Sequence, residues 1–215
     1  MEQLALDLGT PIAPPNTVVS RSNEAVYRLL SAWPHWPNPV VLVSGPAGSG
    51  KSHAAATFAE AVGARLVEGA ALERADILDV ALAPVVVDDA HEASDRSLFH
   101  LINAVRSAGG TMILTAAARQ VGGLADLDSR LRALPDVPLQ APDDALIEAV
   151  LRDSFSRRQL TADPAVVSFL MTRMERTLHS AVHLVDALDR LGLAEQRAPT
   201  RPLAARVLVA ADGSR

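Results

Sequence analysis

Apolar and polar positions follow two different rhythms along this chain of 215 residues. Up to residue 142, short apolar runs rich in β-branched residues alternate with segments of helical period. The runs at 40–43, 84–88 and 111–115 read as buried strands, because continuous Val, Ile and Leu needs cover on both faces. Shorter strands are expected at 65–68 and 135–139. Helices are expected at 23–32, 52–62 and 97–108, the first opened by Ser22 or Asn23 and closed by the Pro-rich segment 33–39. Strands and helices alternating at this spacing predict a parallel sheet with crossover helices. Beyond Pro142 the rhythm changes, and 143–160, 163–174, 177–190 and 200–209 carry helical period with no interior strand. The expectation is an α/β domain over 16–142, a small all-α domain over 143–215 and an extended, Pro-bearing tail over 1–15.

The run at 40–43 leads into Gly45-Pro46-Ala47-Gly48-Ser49-Gly50-Lys51-Ser52. This is GxxxxGK[ST] between a strand and a helix, the context that a phosphate-binding loop requires. Glycines let the backbone curl so that successive N–H groups face an anion, and the helix starting near Lys51 adds its positive end. Lys51 can reach the β- and γ-phosphates, and the Ser52 hydroxyl can hold Mg²⁺. The loop therefore predicts a nucleoside di- or triphosphate as ligand. The run at 84–88 ends in Asp88-Asp89. Behind a phosphate loop, Asp88 is placed to hold Mg²⁺ through water and Asp89 to orient the attacking water. Asp89 is shorter than the Glu of many such ATPases, which predicts slow hydrolysis by the chain itself.

Composition narrows the picture. The formal net charge of −5 and 3% aromatic content argue against autonomous tight nucleic-acid binding and extended base stacking, although a local basic face is allowed. The absence of cysteine excludes disulfides and thiol chemistry and fits a cytoplasmic protein. No apolar stretch has the length of a membrane span, and no secretory signal is evident. His179 and His183 share a helical face, but they and His91 do not assemble a metal-ligand set.

The order of these motifs resembles the AAA+ ATPases and, within them, the DnaA/Hda family of replication proteins. Asp88-Asp89-Ala90-His91 resembles the family's double-Asp strand end. Residues 16–25, with Val18 and Val19, resemble the box that lies beside the adenine. Asp126-Leu127-Asp128-Ser129-Arg130-Leu131 resembles the segment carrying an arginine finger, with Arg130 as the finger acting in trans. Glu175-Arg176-Thr177-Leu178 resembles the start of the lid helix, with Arg176 as the arginine that touches the bound phosphates. Gln3-Leu4-Ala5-Leu6-Asp7-Leu8 resembles the bacterial clamp-binding motif, in which Gln3 takes a polar subsite and Leu4, Leu6 and Leu8 supply the apolar contacts.

The resemblance implies ADP or ATP with Mg²⁺ as cofactors, and it covers about residues 12–209. Its implied partners are DnaA and the sliding clamp (the β subunit of DNA polymerase III), with DNA reached only through the clamp and a homodimer left open. The few residues after Val209 leave no room for the helix-turn-helix domain of a full initiator. The expected activity is stimulation of ATP hydrolysis on DnaA, which restrains replication initiation. An autonomous ATPase of the clamp-loader or loading-factor type is the alternative, and a DnaA-binding module that works without the clamp is a third reading.

Overall fold

The β-branched runs form a five-stranded parallel sheet. In chain order the strands are β1 (Val40–Ser44), β2 (Arg65–Glu68), β3 (Val85–Asp88), β4 (Met112–Ala116) and β5 (Asp136–Pro138), arranged β2-β3-β4-β1-β5. This computed structural model describes residues 17–117, 125–161 and 163–212. The chain divides into two compact units, one gathering 23–46 and 50–140, the other 18–22, 47–49 and 141 onward. The tail residues Gln3, Leu4, Leu6 and Leu8, and Asn16 of the adenine box, lie outside the described residues.

In the first unit β1 and β4 are buried at every position, as expected of central strands covered on both faces. Their period of two separates two cores. Val40, Leu42, Val85, Val87, Met112 and Leu114 pack with Leu98, Leu101, Ile102 and Val105 of the helix α4 (Asp95–Ser107). Val41, Val43, Val86 and Ile113 face the other way, onto Val26 and Leu30 of α1 (Glu24–Ser31) and Ala54, Ala55 and Phe58 of α2 (Lys51–Val62). Trp36 stacks on Phe58 at 5.4 Å between ring centroids. Ser94 caps α4 by accepting from Ser97 N–H.

Four elements of this unit had no counterpart in the pattern: the 3₁₀ segment Gly69–Arg74, α3 (Ile77–Val80), α5 (Ala125–Arg132) and the 3₁₀ segment Ala90–Glu92. The first two span too few residues to display a period. Because β3, β4 and β1 are neighbours and all parallel, Asp88, Thr115 and Ser44 lie side by side along one edge of the sheet, where the phosphate loop leaves β1.

The second unit is built from α6 (Asp144–Arg157), α7 (Pro164–Met171), α8 (Leu178–Glu195) and α9 (Arg201–Asp212). Side chains cap three of these helices: Asp143 accepts from Leu146 N–H, Asp163 from Ala165 N–H ahead of Pro164, and Thr177 from Ser180 N–H. Ile147, Leu151 and Phe155 recur every four residues on α6 and pack with Val167 and Leu170 of α7, Leu184 and Leu188 of α8, and Leu203 and Val207 of α9. α8 runs beyond the expected 190 and ends where Gln196 adopts φ 53°. Among the described residues no helix is long and apolar enough to cross a membrane.

Candidate nucleotide-binding site

The loop between β1 and α2 has the backbone of an anion cradle. Gly48 and Gly50 take φ +71° and +100°, values that side-chain-bearing residues adopt at a cost. Gly50 is also the N-cap of α2 and, as a glycine, offers no side-chain oxygen to cap the first turn. Lys51, the only lysine of the chain, is 8% exposed and donates to the Gly45 and Pro46 carbonyls at 2.9 and 3.0 Å. Ser49 Oγ is buried and has no hydrogen-bond partner among the described residues. A buried, unsatisfied hydroxyl costs about 1–3 kcal/mol, and an oxygen-rich anion in the loop would supply the missing partner. Ser52 is exposed on the first turn of α2. Glycine turns, an uncapped helix start, an ammonium and an orphaned hydroxyl together fit a phosphate group.

The tip of the loop clusters with the second unit. There Leu178 N–H donates to the Gly48 carbonyl at 3.1 Å. A Cβ at Gly48 would lie 2.5 Å from Thr177 Cβ. Ala47, Gly48 and Ser49 therefore belong structurally with the start of α8, a placement that the continuous motif gave no reason to expect.

At the strand end, Thr115 is fully buried and joins both aspartates. Its hydroxyl donates to the Asp88 carboxylate and accepts from Asp89 N–H at 2.9 Å. Asp89 holds φ 49°, in the left-handed region, and its side chain is about half exposed. His91 Nδ1 lies 3.9 Å from Asp89 Oδ1.

The arginines that sequence singled out have defined surroundings within their own units. Arg130, on α5, lies over the ring of Phe99 at 4.9 Å. This stacking leaves the guanidinium without a hydrogen bond to any described residue. Arg176 is paired with Asp144, the first residue of α6, and donates to the Met171 carbonyl at 3.2 Å. Val18 is half-buried and Val19 exposed, both in the second unit. His179 and His183 stand ring to ring at 4.7 Å, and no cluster of three or more metal-ligating side chains occurs among the described residues. Phe99, Asp144 and Thr177 were not singled out from sequence. Each acts as a partner of a motif residue far away in the chain, and a motif scan carries no signal for such pairs.

Solved structures share this fold. Domain III of the replication initiation protein DnaA from Thermotoga maritima superposes with a TM-score of 0.75 at 16% identity, covering 94% of this chain and 98% of that one. A replication initiator DnaA bound to AMPPCP and single-stranded DNA gives 0.67 at 15% identity, covering 88% and 69%. The RuvB Holliday junction branch migration motor of Thermotoga maritima gives 0.68 at 13% identity, covering 89% and 70%. The chain shares the fold of these DnaA and RuvB structures. In addition, the family model described as Hda, lid domain, matches residues 143–208. A Haemophilus influenzae protein described as uncharacterized is 25% identical over 188 residues, 79% of this chain and 81% of its own. The chain is thus DnaA-like in fold along its length and Hda-like over its lid.

Proposed function

We propose that this chain is an adenine-nucleotide-binding regulator of replication initiation that docks on the DNA-loaded sliding clamp and stimulates hydrolysis of ATP bound to DnaA. The observation that carries the reading is the Hda lid-domain match at 143–208 behind a phosphate loop in a DnaA-like fold. On this reading the loop Gly45–Ser52 with Lys51 holds the phosphates of ADP or ATP. Ser52 and Asp88 hold Mg²⁺, Val18 and Val19 flank the adenine, and Arg176 contributes from the lid. A bound magnesium nucleotide supplies the charge that orders these groups. Weak turnover by the chain itself is supported by the Thr115 hydroxyl being engaged with Asp88 and by the short, left-handed Asp89.

Arg130 is the group offered to a neighbour. Stacking on Phe99 holds its guanidinium without using its donors, and a guanidinium supplied in trans accelerates nucleotide hydrolysis by 10³-fold or more, to order of magnitude. Gln3, Leu4, Leu6 and Leu8 supply the clamp contact. The test is hydrolysis of DnaA-bound ATP with and without this chain and DNA-loaded clamp. Stimulation that requires both supports the proposal. Gln3→Ala with Leu6→Ala abolishes clamp binding while nucleotide binding persists. Rapid hydrolysis by this chain alone, with none on DnaA, would instead favour an autonomous ATPase.

A further inference from the structure

Phe169 on α7 carries two guanidinium groups. Arg173 lies 4.2 Å from its ring centroid and Arg201 5.9 Å, so the two like charges are no farther apart than those distances combined. Five other arginines of the same unit are matched with carboxylates: Arg152 with Glu148, Arg157 with Asp153, Arg158 with Asp186, Arg176 with Asp144 and Arg206 with Glu195. Among the described residues neither Arg173 nor Arg201 has such a partner, and Arg173 spends one donor on Thr172 Oγ1 at 2.9 Å. Arg21, Arg190 and Arg197 also lack a carboxylate among the described residues, but they share no ring. Arg201 is moreover the first residue of α9, whose first turn holds no acid. Its charge adds to the positive end of the helix dipole instead of offsetting it. Both side chains are exposed, so water screens the repulsion between them and the two guanidinium forks face solvent, where an outside anion can reach them.

We propose that Arg173 and Arg201, stacked on Phe169, form an anion-binding platform for the phosphate backbone of nucleic acid. Planar guanidinium forks match phosphate oxygens with paired hydrogen bonds, and ring packing fixes their orientation in advance. Phosphates recur at short regular intervals along a strand, so two cations on one ring meet neighbouring phosphates whatever the base sequence. An acidic peptide would have to place two carboxylates in matching register. The net charge of −5 makes the contact a weak, salt-sensitive anchor. No residue of the platform belongs to the phosphate loop, and the proposal depends on neither DnaA nor the clamp.

The test measures anisotropy of a fluorescent short duplex DNA titrated with the full chain over a series of low salt concentrations. Each phosphate contact adds about 0.9 to the slope of log affinity against log salt. Arg173→Gln with Arg201→Gln therefore lowers the slope by about 1.8 and weakens low-salt binding about tenfold or more. Replacing both by lysine retains most of the slope. Unaltered nucleotide affinity in the glutamine variant verifies that it is folded. An unchanged slope, absence of DNA binding by the wild type, or lost binding of an acidic peptide with DNA binding intact would each overturn the assignment.

Discussion

Thr115→Val removes one oxygen from the point where β3 and β4 meet the two aspartates. The hydroxyl is fully buried, donates to the Asp88 carboxylate and accepts from Asp89 N–H at 2.9 Å. A hydrogen bond to a charged group contributes about 1.5–3 kcal/mol, and a buried amide left without an acceptor costs about 1–3 kcal/mol. Water reaches the half-exposed Asp89 and recovers part of this loss, so the expected destabilisation is about 2–4 kcal/mol. Valine fills nearly the same volume, so no cavity contributes. Both tryptophans, Trp33 and Trp36, belong to the first unit, where they pack on Phe58. Their fluorescence in a urea titration therefore follows this unit alone. The midpoint should fall with the slope unchanged, and Thr115→Ser, which keeps the hydroxyl, should recover most of the loss. A Thr115→Val midpoint equal to that of the wild type would refute the role given to this hydrogen-bond pair.

Lys51 is the only lysine, so an amine-selective acylating reagent has Lys51 and the N-terminal amine as its targets. Nucleotide at ten times its dissociation constant should slow acylation of Lys51 about tenfold and leave the N-terminus unaffected, read by peptide mass spectrometry. Gly48→Ala should cost about 1–3 kcal/mol in thermal unfolding, from a Cβ 2.5 Å from Thr177 Cβ and a φ of +71°. Gly109→Ala, at φ +67° with nothing within 4 Å of the new Cβ, should cost only the conformational part, about 1 kcal/mol. Burial pushes the Tyr27 phenol up to about 12. The unfolded chain loses that proton near pH 10, before the folded chain does, so stability falls as pH rises from about 10 through about 12, by up to about 3 kcal/mol. Tyr27 is the only tyrosine, so phenolate absorbance reports its titration directly, and Tyr27→Phe should flatten the alkaline slope.

The strands were legible because Val40–Val43 and Val85–Val87 are β-branched and buried on both faces, a composition with few other uses. Two helices of the second unit were legible through Asp143 and Asp163, which announce their starts. Strand order was not legible, since the crossovers do not reveal that β4 lies between β3 and β1. Nor was the link from Thr115 to Asp88, which depends on that order. The phosphate loop could be read residue by residue because local backbone chemistry dictates it. The partners of Arg130 and Arg176, by contrast, are Phe99 and Asp144, each about thirty residues away in the chain and brought close only by tertiary packing.

On the proposed function, the hydrolysis that matters takes place on a partner. This is tested most directly by placing labelled ATP either on DnaA or on this chain and following single-turnover release of phosphate in the presence of DNA-loaded clamp. This chain should accelerate hydrolysis of the label on DnaA, Arg130→Ala should remove about 10³-fold of that acceleration while still binding nucleotide and clamp, and label on this chain should turn over slowly. Full acceleration by Arg130→Ala, or fast turnover of the label on this chain with none on DnaA, would contradict the proposal.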